Sequence, residues 1–492
     1  MNVKKVSIIG SGIAGLVAAA TMARQGYSVN VFEKNQLPGG RVRQIAEQGF
    51  VFDMGPSWYW MPDVIEDLYQ QFGHSSSDFY ELIRLNPSYT VFWNNDEPLR
   101  VPANVESLEF WMEKREPGSY ARLGRFLEEA RVKYKLGMGK FARRTEFGIK
   151  DFLSPALIRQ ALKLDIFTTM RKHLSRHFRD PQIIMLLSFP VLFLGGTSQQ
   201  IPALYSLMNY ADLELGTWYP MGGMYKIVDA WRKIAGEYGV TFHFGEEVNK
   251  IDVHQGRVVS LNTSEDCYST DGLIAAGDYH YIEQNLLSPN WRMYDEAYWD
   301  KRVLAPSSLL YFIGVKGDIS GLTHHNLFFD EDLDQHADMI YKQPDWPDKP
   351  LFYVCCPSKT DPTVAPSGHE NLFILIPVAP GLEDFQEIHD RYFQIVMDRL
   401  EKHLGQTIRD RIVYHRSFGI SDFQREYHAF KGNAYGLANT LHQTAFMKPS
   451  MRHKKIHNLF FAGQLTMPGP GLPPSMISGN MAAHTLTKIL AS

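Results

Sequence analysis

Gly10-Ser11-Gly12-Ile13-Ala14-Gly15 sets three glycines between a short apolar run and an Ala-rich stretch. That spacing suits a turn whose backbone approaches a pyrophosphate. Gly10 permits the tight turn, Gly12 leaves room for the phosphates, and Gly15 lets the following helix pack on the strand. Ile13 and Ala14 open that helix, whose N-terminus offers N–H donors and partial positive charge. Glu33 lies 18 residues beyond Gly15, at the end of the next apolar run. A carboxylate there accepts ribose hydroxyls, so the constellation predicts a bound dinucleotide. Pro38-Gly39-Gly40-Arg41 follows, with two glycines for close approach and an arginine suited to phosphate. Next comes Phe52-Asp53-Met54-Gly55-Pro56-Ser57. At the far end, Gly463 lies in Asn458–Gln464, ahead of the Gly/Pro-rich turn Pro468–Pro474.

The elements that must position these residues are a strand over Lys5–Ile9, a helix over Leu16–Gln25 closed by Gly26, and a strand over Ser28–Phe32 ending at Glu33. Ser308–Val315, Leu351–Cys355 and Leu372–Pro377 are rich in β-branched and aromatic residues and read as strands of an antiparallel sheet. Phe385–Leu404 has helical spacing. A strand at Asn458–Ala462 and a helix over Ser475–Ile489 close the chain.

Taken together, GSGIAG, Glu33, GGR and DMGPS resemble the flavin amine oxidase and carotenoid desaturase superfamily. Asp53–Asp63, Tyr219–Gly223 and the GQLTMPGPGLPPS stretch are most similar to bacterial-type phytoene desaturases, over the whole chain. The resemblance implies an α/β fold. A Rossmann-type FAD-binding domain would be assembled from 1–70, 216–285 and 446–492. A helical, membrane-associating region would span 71–215, and a substrate domain with a mainly antiparallel sheet 286–445. It implies FAD held by Gly10, Gly12, Ile13, Ala14, Gly15, Glu33, Gly40, Arg41, Gly55, Pro56 and Ser57. Val248 would stand against the adenine and Gly463 beside the ribityl chain and isoalloxazine. It also implies a long apolar polyene as substrate, peripheral attachment to a membrane lipid surface from the cytoplasm, and no metal. Family members place an Arg-Asp pair near a segment that here reads Lys150-Asp151. Asp151 is therefore the candidate to accept a proton or stabilise an allylic cation. It also suits the N-cap of the apolar helical pattern that follows, where caps favour Asp.

Composition fits that reading. The chain of 492 residues carries 50 basic and 54 acidic residues, a net charge of -4, which argues against nucleic acid as a partner. Three cysteines exclude a disulfide scaffold and a Cys-based zinc or iron–sulfur centre. His324-His325 reads as a loop pair, and no histidine spacing suggests a metal. The apolar run before Gly10 is too short for a signal segment. Ile183–Leu194, 12 residues, is too short to span a bilayer and is expected to be buried or interfacial. Arg131–Asp180 holds 13 basic and 4 acidic residues, a local charge of +9, mixed with apolar residues. That pattern fits a membrane-surface element, or a solvated helix pair. A hydrocarbon offers no polar handle, so recognition falls to apolar lining such as Trp58, Tyr59, Trp60, Met61 and Phe189–Leu194. The readings that remain are phytoene desaturation, desaturation of a later carotenoid (including at the 3,4 position), amine oxidation in a Trp/Tyr cage, and a flavin-dependent isomerase or scaffold.

Overall fold

A computed structural model describes residues 3–141, 164–192, 194–440, 442–444 and 447–491. Asp151 and the centre of the basic segment lie outside the described residues.

The nucleotide-binding half is a five-stranded parallel sheet. Its spatial order is Leu459–Phe461, Gly272–Ala275, Lys5–Ile9, Ser28–Glu33 and Thr241–Phe244. Val6 pairs with Gly272 on one side and Val29 on the other. Lys5–Ile9 is buried from Val6 onward and Gly272–Ala275 throughout, as strands covered on both faces are. The helix Ile13–Arg24 starts three residues earlier than its apolar spacing predicts, so its first turn is built from the glycine fingerprint itself. The last helix, Leu472–Ala491, likewise starts three residues early. Pro473 and Pro474 are tolerated there because the first turn has no intrahelical partner for their missing N–H groups. The two helices pack so closely that a Cβ on Gly479 would meet the Ala14 carbonyl oxygen at 2.1 Å.

The second half is a seven-stranded sheet in the order Ile412–Phe418, Ser307–Lys316, His369–Val378, Phe352–Cys355, His325–Phe329, Tyr89–Trp93 and Leu99–Val101. The three strands expected from sequence are all present and antiparallel, with Leu310 opposite Leu375 and Val354 opposite Ile374. The sheet is not wholly antiparallel, because His325–Phe329 runs parallel to Tyr89–Trp93. Tyr89–Trp93 and Leu99–Val101 come from the 71–215 stretch read as helical. A three-stranded antiparallel meander, Val248–His254, Arg257–Thr263 and Cys267–Ser269, lies apart from both sheets.

The apolar run after Pro181 forms a 12-residue helix, Pro181–Leu192, with Pro190 inside it. Phe189 is 1 % exposed and packs on Trp58, Trp60 and Tyr89. Burying a phenylalanine contributes roughly 1.5–3 kcal/mol, so this helix is held as core. Among the described residues no helix is long and apolar enough to cross a membrane.

Candidate functional site

One cavity of about 1110 Å³ runs between the two halves. Ligand pockets are typically about 300–1,000 Å³, so this one has room for an extended cofactor and more. One end is walled by Gly10, Gly12, Ile13, Ala14, Glu33, Gly40, Arg41, Val248 and Gly463. Gly55, Pro56 and Ser57 continue the wall towards an apolar chamber that includes Trp58, Trp60, Met208, Leu310 and Phe373. Of the binding residues expected from sequence, Gly15 alone does not face the cavity.

Its neighbours explain that. A Cβ on Gly15 would fall 2.0 Å from the Gly10 carbonyl oxygen, so this glycine serves helix–turn packing. Gly12 is the opposite case. Its φ of -64° suits any residue, and a Cβ there would meet nothing nearer than the Gly40 Cα at 4.0 Å. The fold does not need glycine at 12, but a ligand against this backbone does. Gly463 has φ +113°, a conformation that favours glycine, and its N–H donates to Ser478 Oγ at 3.0 Å on the last helix. The GGR segment folds over the fingerprint through a bridge between Gly12 and Gly39, and Gly55 packs on the Arg41 carbonyl.

Arg41 is held by Nη2 donating to the Asn433 carbonyl at 3.2 Å and by Tyr427, whose ring centroid is 5.1 Å away. Burial lowers its pKa, with Asp278 as the first charge opposing that shift. Its Nε is buried with no hydrogen-bond partner among the described residues. A buried guanidinium nitrogen left over at the cavity wall fits a phosphate oxygen. Glu33 is more occupied than its spacing implies. Oε2 accepts from Ser11 N at 3.0 Å and Ser11 Oγ at 2.8 Å, and Oε1 accepts from Asn35 N and Nδ2, both at 3.0 Å. The carboxylate therefore fixes the turn, and a ribose would exchange with the Ser11 hydroxyl or the Asn35 amide. The open face of Gly12, the leftover Arg41 donor and the cavity's length together fit FAD.

Several residues acquire roles that spacing alone did not reveal. Asp53 accepts from Met224 N at 2.8 Å and Tyr225 N at 3.3 Å, tying the DMGPS loop to the helix after Tyr219–Gly223. Burial pushes its pKa up to about 7. Lys448 is 5 % exposed, its Nζ has no partner among the described residues, and burial pulls its pKa down to about 7. A Cβ on Gly469, in the turn before the last helix, would meet that Nζ at 3.2 Å. No local pattern marks a buried lysine.

His324 and His325 are not a loop pair. His325 opens a central strand, and both rings are buried. His325 Nδ1 is 2.6 Å from the Tyr353 hydroxyl, which is 2.9 Å from Ser57 Oγ. Its ring stacks on Trp58 at 4.0 Å and 11°. The pairing of His325 with Cys355 across strands brings these groups together, and it depends on a partner strand far along the chain. Two groups of potential metal ligands occur among the described residues, His324/His325/Cys355 and Glu129/His173/His177. Lys133 Nζ lies 3.3 Å from His173 Nε2 and occupies a ligand position of the second group.

The model of the flavin containing amine oxidoreductase family matches residues 13–487. The chain is 38% identical over 487 residues to a carotenoid 3,4-desaturase of Haloarcula japonica, covering 99% of this chain and 98% of that one. It is 31% identical over 491 residues to a zeta-carotene-forming phytoene desaturase of Myxococcus xanthus, covering 98% and 94%. Among solved structures, putrescine oxidase bound to putrescine covers both chains in full with a TM-score of 0.62 at 14% identity. Cyclohexylamine oxidase from Brevibacterium oxydans does so with 0.60 at 17%. These two show a shared fold.

Proposed function

Because this chain belongs to the flavin containing amine oxidoreductase family, we propose that it is an FAD-dependent carotenoid desaturase, introducing conjugated double bonds into a long polyene. The observation that carries the reading is the continuity of one cavity, from a phosphate-ready glycine turn into a chamber walled by aromatic and aliphatic side chains. Full-length similarity to two carotenoid desaturases points the same way.

Gly10, Gly12, Gly40 and Arg41 would hold the pyrophosphate, Glu33 the ribose, Val248 the adenine and Gly463 the flavin end. Bound FAD supplies a hydride acceptor. The chain supplies the rest. Its chamber binds hydrocarbon by area, at about 25 cal/mol per Å² removed from water, and keeps water from the reacting carbons. Trp58 and Trp60, packed on Phe189, make the wall rigid. Asp151 remains a candidate proton acceptor or helix cap.

Phytoene is the substrate expected from sequence. The higher identity to a 3,4-desaturase favours a later carotenoid. Expression in cells that accumulate phytoene, and separately in cells that accumulate lycopene, decides between them by chromatography of the pigments. No new chromophore in either, with peroxide released from amines, would replace the reading with amine oxidation.

The polyene would enter from a membrane surface. Phe167 is 78% exposed and also lines the cavity. Beside it the helix Met170–His177 presents Arg171, Lys172 and Arg176 outward. An exposed aromatic at a cavity mouth, flanked by cations, suits an anionic lipid interface.

A further inference from the structure

Desaturation takes a hydride from one carbon and a proton from its neighbour. The proton needs a destination inside a hydrocarbon-lined chamber, where a permanent charge would be costly to keep dry. Tyr353 is the described hydroxyl of the chamber backed by an imidazole. Its ring lines the cavity, its oxygen lies 2.9 Å from Ser57 Oγ on the cavity side, and His325 Nδ1 lies 2.6 Å behind it. Other hydroxyls of the chamber lead elsewhere, as with Tyr205, which meets Thr444 Oγ1 at 2.7 Å. His325 is 0 % exposed, and among the described residues its Nε2 has no hydrogen-bond partner, so Nδ1 carries the ring's hydrogen bond to Tyr353. Burial holds the pKa of this imidazole well below its usual value. The Trp58 face stacked on that ring at 4.0 Å suits it to carry a transient positive charge, since an indole face attracts a desolvated cation.

Resting on the reading of a carotenoid desaturase, we propose that Tyr353 and His325 form the proton-accepting pair of the reaction. One substrate carbon would give up a hydride to bound FAD. The adjacent C–H bond breaks, its electron pair becomes the new C=C bond, and its proton goes to the Tyr353 oxygen. The Tyr353 proton moves to His325 Nδ1, leaving an imidazolium over Trp58. After product leaves, the proton returns through Tyr353 and Ser57 Oγ to the cavity. A cationic carbon is a strong acid, so a neutral, buried imidazole is base enough.

The test uses the flavin-loaded protein with Tyr353→Phe and, separately, His325→Gln, which keeps a hydrogen-bond acceptor but not a base. Both are expected to retain flavin and to bind the polyene with wild-type affinity by tryptophan quenching. Their kcat should fall on the order of 100-fold with KM unchanged, the scale of a lost general base. Substrate deuterated at the carbon that loses the proton should show a larger isotope effect in both variants than in the wild type, because that step becomes limiting. A merely structural role would move binding and leave the isotope effect alone. Variants that keep kcat within about threefold of an active wild type, far below the loss of a general base, overturn the pair and spare the desaturase reading. A wild type that desaturates no carotenoid overturns the reading and the pair together.

Discussion

Adding one methyl group at residue 12 and one at residue 15 should have opposite consequences, although both glycines belong to the same fingerprint. At Gly12 the new Cβ would meet no described protein atom closer than 4.0 Å. The backbone already sits at φ -64°, ψ 171°, the N-cap position of the first helix. Replacing glycine by alanine at an N-cap costs at most about 1 kcal/mol, so Gly12→Ala should fold. The methyl would stand where the phosphates are proposed to lie. Losing one hydrogen bond to a charged group costs about 1.5–3 kcal/mol, which is about 10- to 100-fold in affinity. At Gly15 the same methyl would lie 2.0 Å from the Gly10 carbonyl oxygen, well inside contact, with the Ala276 Cβ at 3.3 Å. The helix would have to leave the sheet, and a strained core substitution of this kind costs several kcal/mol. Flavin absorbance per protein, FAD affinity of stripped protein and thermal unfolding of both variants separate the cases. Gly12→Ala should unfold near the wild type while holding little flavin, and Gly15→Ala should yield unstable protein. A Gly12→Ala protein with a full flavin load and unchanged affinity would refute the placement of the phosphates.

Other outcomes follow from the same geometry. Reversing Arg171, Lys172 and Arg176 to Glu should strongly reduce sedimentation with anionic vesicles, at roughly 1 kcal/mol for each basic residue near the surface, and leave flavin content alone. Unchanged sedimentation would remove the membrane face. Asp212, which accepts from Tyr89 at 2.8 Å, has its pKa pushed up to about 7 by burial. Protonated when folded and ionised when unfolded, it contributes stability below pH 4 that is lost as pH rises towards 7. Asp212→Asn should therefore gain on the wild type by about 2 kcal/mol between pH 5 and pH 7, read by denaturant unfolding at each pH, and a constant difference would contradict the shift. Asp151→Asn should preserve folding and flavin under either of its two roles, because Asn caps as well as Asp. A drop on the order of 100-fold in desaturation marks Asp151 as the proton acceptor and displaces Tyr353 and His325 from that role, and near-normal turnover marks a cap.

The nucleotide-binding half was readable from local pattern, because its chemistry is carried by neighbours in sequence. Gly10 to Gly15, the following helix and Glu33 sit within one strand–helix–strand unit. What the pattern hid was distant pairing. Asp53 and Met224 are joined by a hydrogen bond that spans 171 positions, and each lies in a stretch whose resemblance was visible while its purpose was not. His324-His325 looked like a loop because two histidines carry no strand propensity. The strand is imposed by Phe352–Cys355 on one side and Tyr89–Trp93 on the other. Tyr89–Trp93 and its antiparallel neighbour Leu99–Val101 join a sheet whose other members begin some two hundred positions later, and no local period reports such a neighbour. Helix starts were missed by three residues near both ends of the chain for a shared reason. Glycine and proline read as breakers, yet in a first turn neither breaks a hydrogen bond.

The most direct measurement mixes the purified, flavin-loaded protein with one equivalent of polyene in the absence of oxygen. It follows the flavin and the carotenoid bands together. The account predicts bleaching of the oxidised flavin in step with one added conjugated double bond per flavin, for phytoene or for a later carotenoid. Bleaching by primary amines, with carotenoid spectra unchanged, would contradict it.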